Sequence, residues 1–133
     1  MPEITIVDTS ALFYFYRLGL FELFNKLYGQ IIVAEAVKNE LNEGQAQGED
    51  VPQLDRYPWI EIRSVSMPRY LQLIADLGPG ESAVLALATN HPLALVVLDD
   101  KLARRIADMQ GFRLTGTAGV LCLKPKAKAS FPH

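Results

Sequence analysis

The segment Ile4-Thr5-Ile6-Val7-Asp8-Thr9-Ser10 carries the clearest indication of the fold. Its first four residues are all β-branched, and they predict a short, largely apolar strand. Asp8, Thr9 and Ser10 follow at once, and these residue types commonly begin helices. A strand that passes directly into a helix starts a β-α unit, so we expect a sheet that is covered by helices.

Strand and helix patterns alternate along the rest of the chain. Apolar or alternating runs predict strands at residues 31–33, 59–65, 93–98 and 112–114. Helical spacing predicts helices at residues 11–16, 20–27, 34–42, 68–77, 81–89, 101–110 and 117–123. The polar residues 44–58 predict a loop or a weak helix. We therefore predict the α/β class with a mostly parallel sheet.

A single domain accounts for this pattern. The chain has 133 residues, half of them hydrophobic, which is enough for one core. We assign residues 1–123 to the domain and expect residues 124–133, which are basic and contain proline, to form a flexible tail. No apolar run approaches the roughly 20 residues that span a bilayer, and we find no signal peptide. The one cysteine, Cys122, indicates a reducing cytoplasm, and we expect it to be buried.

The net charge does not decide which class of partner the protein binds. The formal charge is −2, whereas nucleic-acid-binding proteins are usually basic. If a bound metal neutralised five of the 15 acidic residues, however, the 13 basic residues would outnumber the remaining acidic ones. Nucleic-acid binding is therefore compatible with this composition.

Acidic residues directly follow two of the predicted strands. Asp8 ends the first strand, and Asp99 and Asp100 end the strand at residues 93–98. Because parallel strands share a direction, these side chains belong to the same edge of the sheet, where ligands of such sheets bind. Carboxylates at one edge repel one another unless a cation or a shared proton lies between them.

Two glutamates on predicted helices complete the set. Glu40 lies near the edge of the apolar face of its helix. Glu81 opens a helix after Gly78-Pro79-Gly80, where the backbone can approach a ligand closely. All five acidic side chains offer oxygen, which selects Mg²⁺ or Mn²⁺ over zinc, and the two histidines and one cysteine show no zinc-ligand spacing. We therefore predict a divalent-metal site at this edge.

Each acidic residue also has a structural interpretation when it is considered alone. Asp8 and the Asp99-Asp100 pair can cap the helices that follow them. Glu81 can complement a helix dipole, and Glu40 can lie on a solvated helix face. The joint placement of the five residues, rather than any one of them, favours the metal site.

Four ordered motifs resemble those of PIN-domain nucleases. Each motif is weak alone, but the ordered set is specific and covers nearly the whole chain, ending in a closing segment at residues 111–121. The third motif resembles that of a toxin-like, VapC-type subfamily in bacteria and archaea. The motifs are Val7-Asp8-Thr9-Ser10-Ala11-Leu12, Val33-Ala34-Glu35-Ala36-Val37-Lys38-Asn39-Glu40-Leu41, Gly78-Pro79-Gly80-Glu81-Ser82-Ala83 and Leu98-Asp99-Asp100-Lys101-Leu102-Ala103-Arg104-Arg105.

The resemblance implies a Rossmann-like, three-layer α/β/α sandwich with a mostly parallel sheet of about five strands. It also implies a Mg²⁺- or Mn²⁺-dependent endoribonuclease that hydrolyses RNA phosphodiester bonds. Toxin members pair with an antitoxin protein and often dimerise, so the expected partners are RNA, an antitoxin and further copies of the chain. A catalytically inactive PIN-like module that binds RNA or protein is the alternative.

The expected roles of the acidic residues follow from this resemblance and from the chemistry of hard cations. We expect Asp8 and one of Asp99 and Asp100 to be direct metal ligands. Glu40 and Glu81 would ligate the metal or hold water molecules around it, because Mg²⁺ keeps several waters. If the substrate recruited a second ion, a two-metal site would form, with the ions about 4 Å apart.

Hydroxyl and basic side chains next to these motifs are candidates for substrate binding. The hydroxyls of Thr9, Ser10 and Thr117 would orient carboxylates or contact phosphate, with helix capping as the alternative. The cations of Lys101, Arg104 and Arg105 would bind phosphates, with surface solvation as the alternative.

Two other protein classes that have clusters of acidic residues at a sheet edge match less well. A phosphotransferase of the haloacid dehalogenase type needs a second aspartate two residues after Asp8, where this chain has Ser10. A receiver domain carries its acidic pair near the first strand, whereas the pair here follows a late strand.

Overall fold

Five parallel strands form the sheet of this computed structural model, which describes residues 4–129, with side chains described through residue 123. The strands are β1 (Thr5–Val7), β2 (Ile31–Ala34), β3 (Ile60–Arg63), β4 (Leu95–Val97) and β5 (Arg113–Thr115). Their order across the sheet is β3-β2-β1-β4-β5, and every pairing is parallel. All five predicted strands are therefore confirmed.

Helices cover this sheet and connect its strands. Within the described residues they are α1 (Thr9–Arg17), α2 (Leu23–Tyr28), α3 (Glu35–Ala46), α4 (Arg69–Gln72), α5 (Pro79–Asn90), α6 (Lys101–Met109) and α7 (Thr117–Ala129), with a short 3-10 turn at Leu54–Arg56. The architecture is a Rossmann-like, three-layer α/β/α sandwich, as predicted. No helix in this part of the chain is both long and apolar enough to cross a membrane.

The sheet reverses its strand order beside β1, which lies at its centre. The chain adds β2 and β3 on one side of β1 and then returns to add β4 and β5 on the other side. Val7 pairs with Val97, so β1 and β4 end at the same level. In sheets of this kind the crevice between two such strands is where ligands bind. The topology therefore places Asp8 and the residues after β4 around one crevice.

Burial follows position in the sheet. The side chains of β1 and β2 are all buried, and those of β4 are nearly so. The side chains of β3 are all half-buried, although their alternating sequence predicts one buried and one exposed face. β3 lies at the edge of the sheet, where the covering layers end, and this position reduces the contrast between its two faces.

One predicted helix is largely wrong. The apolar spacing at residues 68–77 predicts a continuous helix, but α4 covers only Arg69–Gln72. The amides of Leu73, Ile74 and Leu77 each bond to the carbonyl three residues earlier, so the chain tightens into successive turns. These turns still bury Leu71 and Leu77, which explains why the sequence carries a helix-like apolar pattern.

Two helix ends and one burial prediction also differ from the structure. Helix α3 continues past its predicted end at Asn42 to Ala46, and α7 continues past Leu123 to Ala129. Cys122 is exposed rather than buried. Residues 130–133 lie outside the described residues, so the flexibility of the tail stays a prediction.

Candidate metal centre

Asp8 is a buried carboxylate at the end of the central strand. It is only 1% exposed. Its backbone N–H donates to the Val97 carbonyl at 3.0 Å, which extends the pairing of β1 with β4 by one residue. Asp8 occupies the N-cap position of α1, but its side chain makes no capping hydrogen bond, and Oδ1 is buried without a hydrogen-bond partner. The capping interpretation of the Asp8 side chain is therefore wrong.

The electrostatics of Asp8 show which other acids lie around it. Burial, and then the charges of Glu81, Glu40 and Asp99, raise the pKa of the Asp8 carboxyl from 3.8 to about 7. Three carboxyl groups from three other segments therefore act electrostatically on the Asp8 carboxyl. A divalent cation at that position favours the ionised form of every one of them.

Glu40 joins this cluster from helix α3. Thr9 Oγ1 donates a hydrogen bond to Glu40 Oε2 at 3.4 Å, while Oε1 is buried without a partner. Burial and the charge of Glu81 raise the pKa of the Glu40 carboxyl. The alternative in which Glu40 lies on a solvated helix face is therefore wrong.

Gly80 allows helix α5 to pass close to Glu40. A Cβ atom at Gly80 would lie 2.1 Å from Glu40 Oε1 and 3.3 Å from Thr9 Oγ1. Any larger residue would displace the Glu40 carboxylate. The glycines before Glu81 suggested close approach to a ligand, and the structure shows that Gly80 admits a carboxylate of the chain itself.

Glu81 has a structural contact and also contributes to the cluster. Its Oε1 accepts a hydrogen bond from the Gly78 backbone N–H at 3.1 Å, which satisfies a donor at the start of α5. Its charge raises the pKa of both Asp8 and Glu40. The helix-terminus interpretation of Glu81 is confirmed, and the residue also lies beside the other acids.

The structure separates the neighbouring aspartates. Asp99 accepts hydrogen bonds from both the backbone N–H and the hydroxyl of Thr117, the first at 2.8 Å, and its charge acts on Asp8. Asp100 Oδ2 accepts from the Ala103 N–H at 2.9 Å, so Asp100 is the exposed N-cap of α6. Asp99 therefore belongs to the acidic cluster, and the capping interpretation holds for Asp100.

Two of the three predicted hydroxyl residues near the site donate hydrogen bonds to carboxylates. Thr9 contacts Glu40, and Thr117 holds Asp99, which matches the carboxylate-orienting role predicted for them. Ser10 is exposed on α1 and makes neither contact.

The basic residues of α6 have different surroundings. Arg104 Nη1 donates to the Leu98 carbonyl at 2.7 Å, which fixes its side chain beside the site. Lys101 and Arg105 are exposed and line, with Arg104, a shallow cleft of about 390 Å³. Lys101 and Arg105 are thus the cations that remain accessible to a phosphate.

Gly116 is a structural residue that the sequence analysis did not assign. A Cβ atom there would lie 2.7 Å from Asp99 Oδ1 and 2.9 Å from Arg104 Nη1. Asp99 and Arg104 can occupy their positions because residue 116 has no side chain. The available signal was the glycine between Thr115 and Thr117, directly after the last strand.

The acidic cluster fits a hard divalent cation by its chemistry, although its members stand apart. Within residues 4–129, no three His, Cys, Asp or Glu side chains are close enough together as placed to hold a metal ion. Carboxylates repel one another, and hydrogen bonds hold Glu81 and Asp99 against their own segments. The donors are all oxygen, and Asp8 Oδ1 and Glu40 Oε1 are buried acceptors without a partner, which a cation would satisfy.

Comparisons with known proteins assign the fold and the family. A family model described as a PIN domain matches residues 4–130. The solved structure of a PilT N-terminus domain protein from the hyperthermophilic archaeon Sulfolobus solfataricus P2 has a TM-score of 0.64 and 20% identity, and the match covers 98% of each chain. No curated protein matches. The chain therefore belongs to the PIN-domain family, whose members are typically metal-dependent nucleases.

Proposed function

We propose that this protein is an endoribonuclease that hydrolyses RNA phosphodiester bonds with Mg²⁺ or Mn²⁺. The observation that carries the proposal is the buried Asp8 carboxyl, whose Oδ1 has no hydrogen-bond partner and which lies beside the charges of Glu81, Glu40 and Asp99. Keeping such a group ionised is costly, and a hard cation offsets that cost. The choice of RNA rests on the resemblance of the four motifs.

Each carboxylate has its own part in this proposal. Asp8, Glu81 and Asp99 would hold the metal. Asp100 would become a ligand only if its side chain released the hydrogen bond with which it caps α6. A metal held by these residues would supply charge to neutralise a phosphate oxygen and would lower the pKa of an attacking water. Glu40, whose pKa is raised by burial and by Glu81, is suited to accept a proton from that water.

Neighbouring residues keep these groups in place. Thr9 orients Glu40, Thr117 orients Asp99, and the Gly78 N–H orients Glu81. Such preorganisation matters because a carboxylate that must first reorient contributes less to the transition state. The exposed cations Lys101 and Arg105 would bind phosphates on either side of the cleaved bond.

Cleavage of mixed RNA by purified protein tests the proposal. We expect cleavage with Mn²⁺ or Mg²⁺, none with EDTA, and none of DNA of the same sequence. Asp8→Asn and Asp99→Asn should abolish cleavage, whereas Asp100→Asn should retain it because asparagine also caps helices. Asp76→Asn, the same change at an exposed aspartate, is the matched control. Undiminished cleavage by Asp8→Asn, or cleavage that resists EDTA, would contradict the assignment.

A catalytically inactive PIN-like module that binds RNA or protein is the second candidate. The observation in its favour is that no three of the described acidic side chains are close enough as placed to hold a metal. An inactive module would retain labelled RNA on a filter in the presence of Mn²⁺ without shortening it. Shortening of the RNA under those conditions would exclude this candidate.

We also propose that the protein acts as the toxin of a toxin-antitoxin pair in the cytoplasm and forms a homodimer or a higher homo-oligomer. The support is the resemblance of residues 78–83 to the third motif of the toxin-like subfamily. Light scattering of the purified protein measures the oligomer. A gene for a small DNA-binding protein directly upstream, whose product suppresses cleavage when added, would be the antitoxin, and cleavage unaffected by that product would argue against the pair.

A further inference from the structure

A cavity of about 380 Å³ adjoins the acidic cluster, between α1 and the C-terminal half of α3. Thr9 and Glu40 line this cavity and also belong to the cluster. Its volume is near the lower end of the range of about 300–1,000 Å³ that is typical of small-molecule sites. A single ring system bound there would therefore lie beside the position of the hydrolysed bond.

One wall of the cavity is aromatic. Phe13 and Tyr14 lie on α1, with ring centroids 6.3 Å apart in an edge-to-face arrangement. The Arg17 guanidinium lies 4.6 Å from the Phe13 ring centroid, which helps to hold that ring. Tyr14 is 54% exposed. Exposed aromatic rings of this kind are platforms on which unpaired bases stack.

The opposite wall accepts hydrogen bonds and repels anions. It carries Glu43, Gln47 and Glu49, and none of the described residues that line the cavity is basic. The Glu49 carboxylate lies over Gly44, where a Cβ atom would make an ordinary contact with Glu49 Cδ at 3.5 Å. A phosphate is therefore excluded from the cavity, whereas a flat group that bears N–H donors is favoured.

We propose that this cavity binds the base of the nucleotide next to the cleaved bond and prefers guanine. Guanine presents its N1–H and its N2 amino group side by side, which matches the two oxygens of one carboxylate. Uracil presents a single N–H between two carbonyl oxygens, which carboxylates repel. Adenine and cytosine present one amino group next to an acceptor. The proposal rests on the proposed function and adds the sequence preference of the cut.

Oligouridine RNAs that contain one internal guanosine, adenosine or cytidine test the preference. With Mn²⁺, the wild-type protein should cleave beside guanosine at least about tenfold faster than between uridines, since one bidentate pair discriminates by about that factor. Glu49→Gln should remove this preference while cleavage between uridines continues. Glu43→Gln should also remove it, but with a changed rate between uridines, because the Glu43 charge contributes to the raised pKa of Glu40. Tyr14→Ala should slow cleavage beside every base about tenfold through lost stacking. Glu22→Gln, the same change at an exposed position outside the cavity, should keep the preference.

The outcomes distinguish this inference from the proposed function. Equal cleavage beside all four bases, or a guanosine preference that survives in both glutamate variants, would overturn the base assignment. A wild-type protein that cleaves no RNA would overturn the proposed function instead. In that case calorimetric titration of the metal-free protein with guanosine and with uridine still tests the cavity: tighter binding of guanosine supports it, and equal binding overturns it.

Discussion

Ionisation of Asp8 should weaken the fold. The pKa of this carboxyl is about 7 in the folded chain, against an ordinary value of 3.8, chiefly because the group is buried. Between these two pH values the unfolded chain has released the proton while the folded chain retains it. The free energy of unfolding of the metal-free protein should therefore fall as the pH rises through this window, and the full loss is about 4 kcal/mol.

Replacement of Asp8 by asparagine removes this pH dependence. The amide cannot ionise, but its own donors also need hydrogen bonds at a buried position, which costs about 1–3 kcal/mol. At pH values above the Asp8 pKa, the metal-free Asp8→Asn protein should therefore be more stable than the wild type by about 1–3 kcal/mol. At acidic pH, where the wild-type carboxyl is protonated, the gain should disappear.

Urea denaturation between acidic and weakly alkaline pH, in the absence of divalent metal, measures the effect. The fluorescence of Trp59, the single tryptophan, reports unfolding because its ring packs against two other aromatic rings. The ring centroids of Phe21 and Tyr57 lie 5.4 Å and 5.5 Å from that of Trp59. Saturating Mg²⁺ at alkaline pH should stabilise the wild type and not Asp8→Asn, because a ligand of the folded state raises the free energy of unfolding. This arm separates a metal ligand from an ordinary buried acid.

Two results would contradict a raised pKa at Asp8. One is a wild-type free energy of unfolding that stays constant or rises as the pH increases from 4 to 7, since a raised carboxyl pKa requires the opposite sign. The other is the same pH dependence in the wild type and in Asp8→Asn, which would assign the dependence to other groups, such as Glu40.

Three further changes test the surroundings of the acids. Thr117→Val keeps the backbone N–H that holds Asp99 but removes the hydroxyl, so RNA cleavage should fall about 10–100-fold with little change in the urea midpoint, and Thr117→Ser should restore it. Gly80→Ala places a Cβ atom 2.1 Å from Glu40 Oε1, so RNA cleavage should fall more than tenfold. This loss is expected although alanine stabilises a helix by about 1 kcal/mol relative to glycine. The Thr89→Ala protein, changed in the same helix, should cleave RNA at the wild-type rate. Lys101→Ala and Arg105→Ala should each weaken RNA binding equally for all sequences and reduce the logarithmic salt slope by about one, and a sequence-dependent loss would argue against phosphate contacts.

The strands were predictable because their information is local. β-branched and apolar runs such as Ile4–Val7 have few alternatives to a buried strand, and their alternation with helices restricts the sheet to a parallel one. The helix predicted at residues 68–77 was wrong because buried leucines recur at similar spacing in successive turns. The prediction that Cys122 is buried was wrong because the accessibility of one residue depends on what packs over α7.

The site shows the same division between local and long-range information. The strand pattern alone was enough to predict that Asp8 and the Asp99-Asp100 pair follow parallel strands and share one edge of the sheet. The sequence pattern could not show that Asp99 is held by Thr117 while Asp100 caps α6, or that the Glu40 carboxylate lies against Gly80. These placements depend on hydrogen bonds, burial and charges between residues far apart in the chain, and such contacts exist only after the helices have packed.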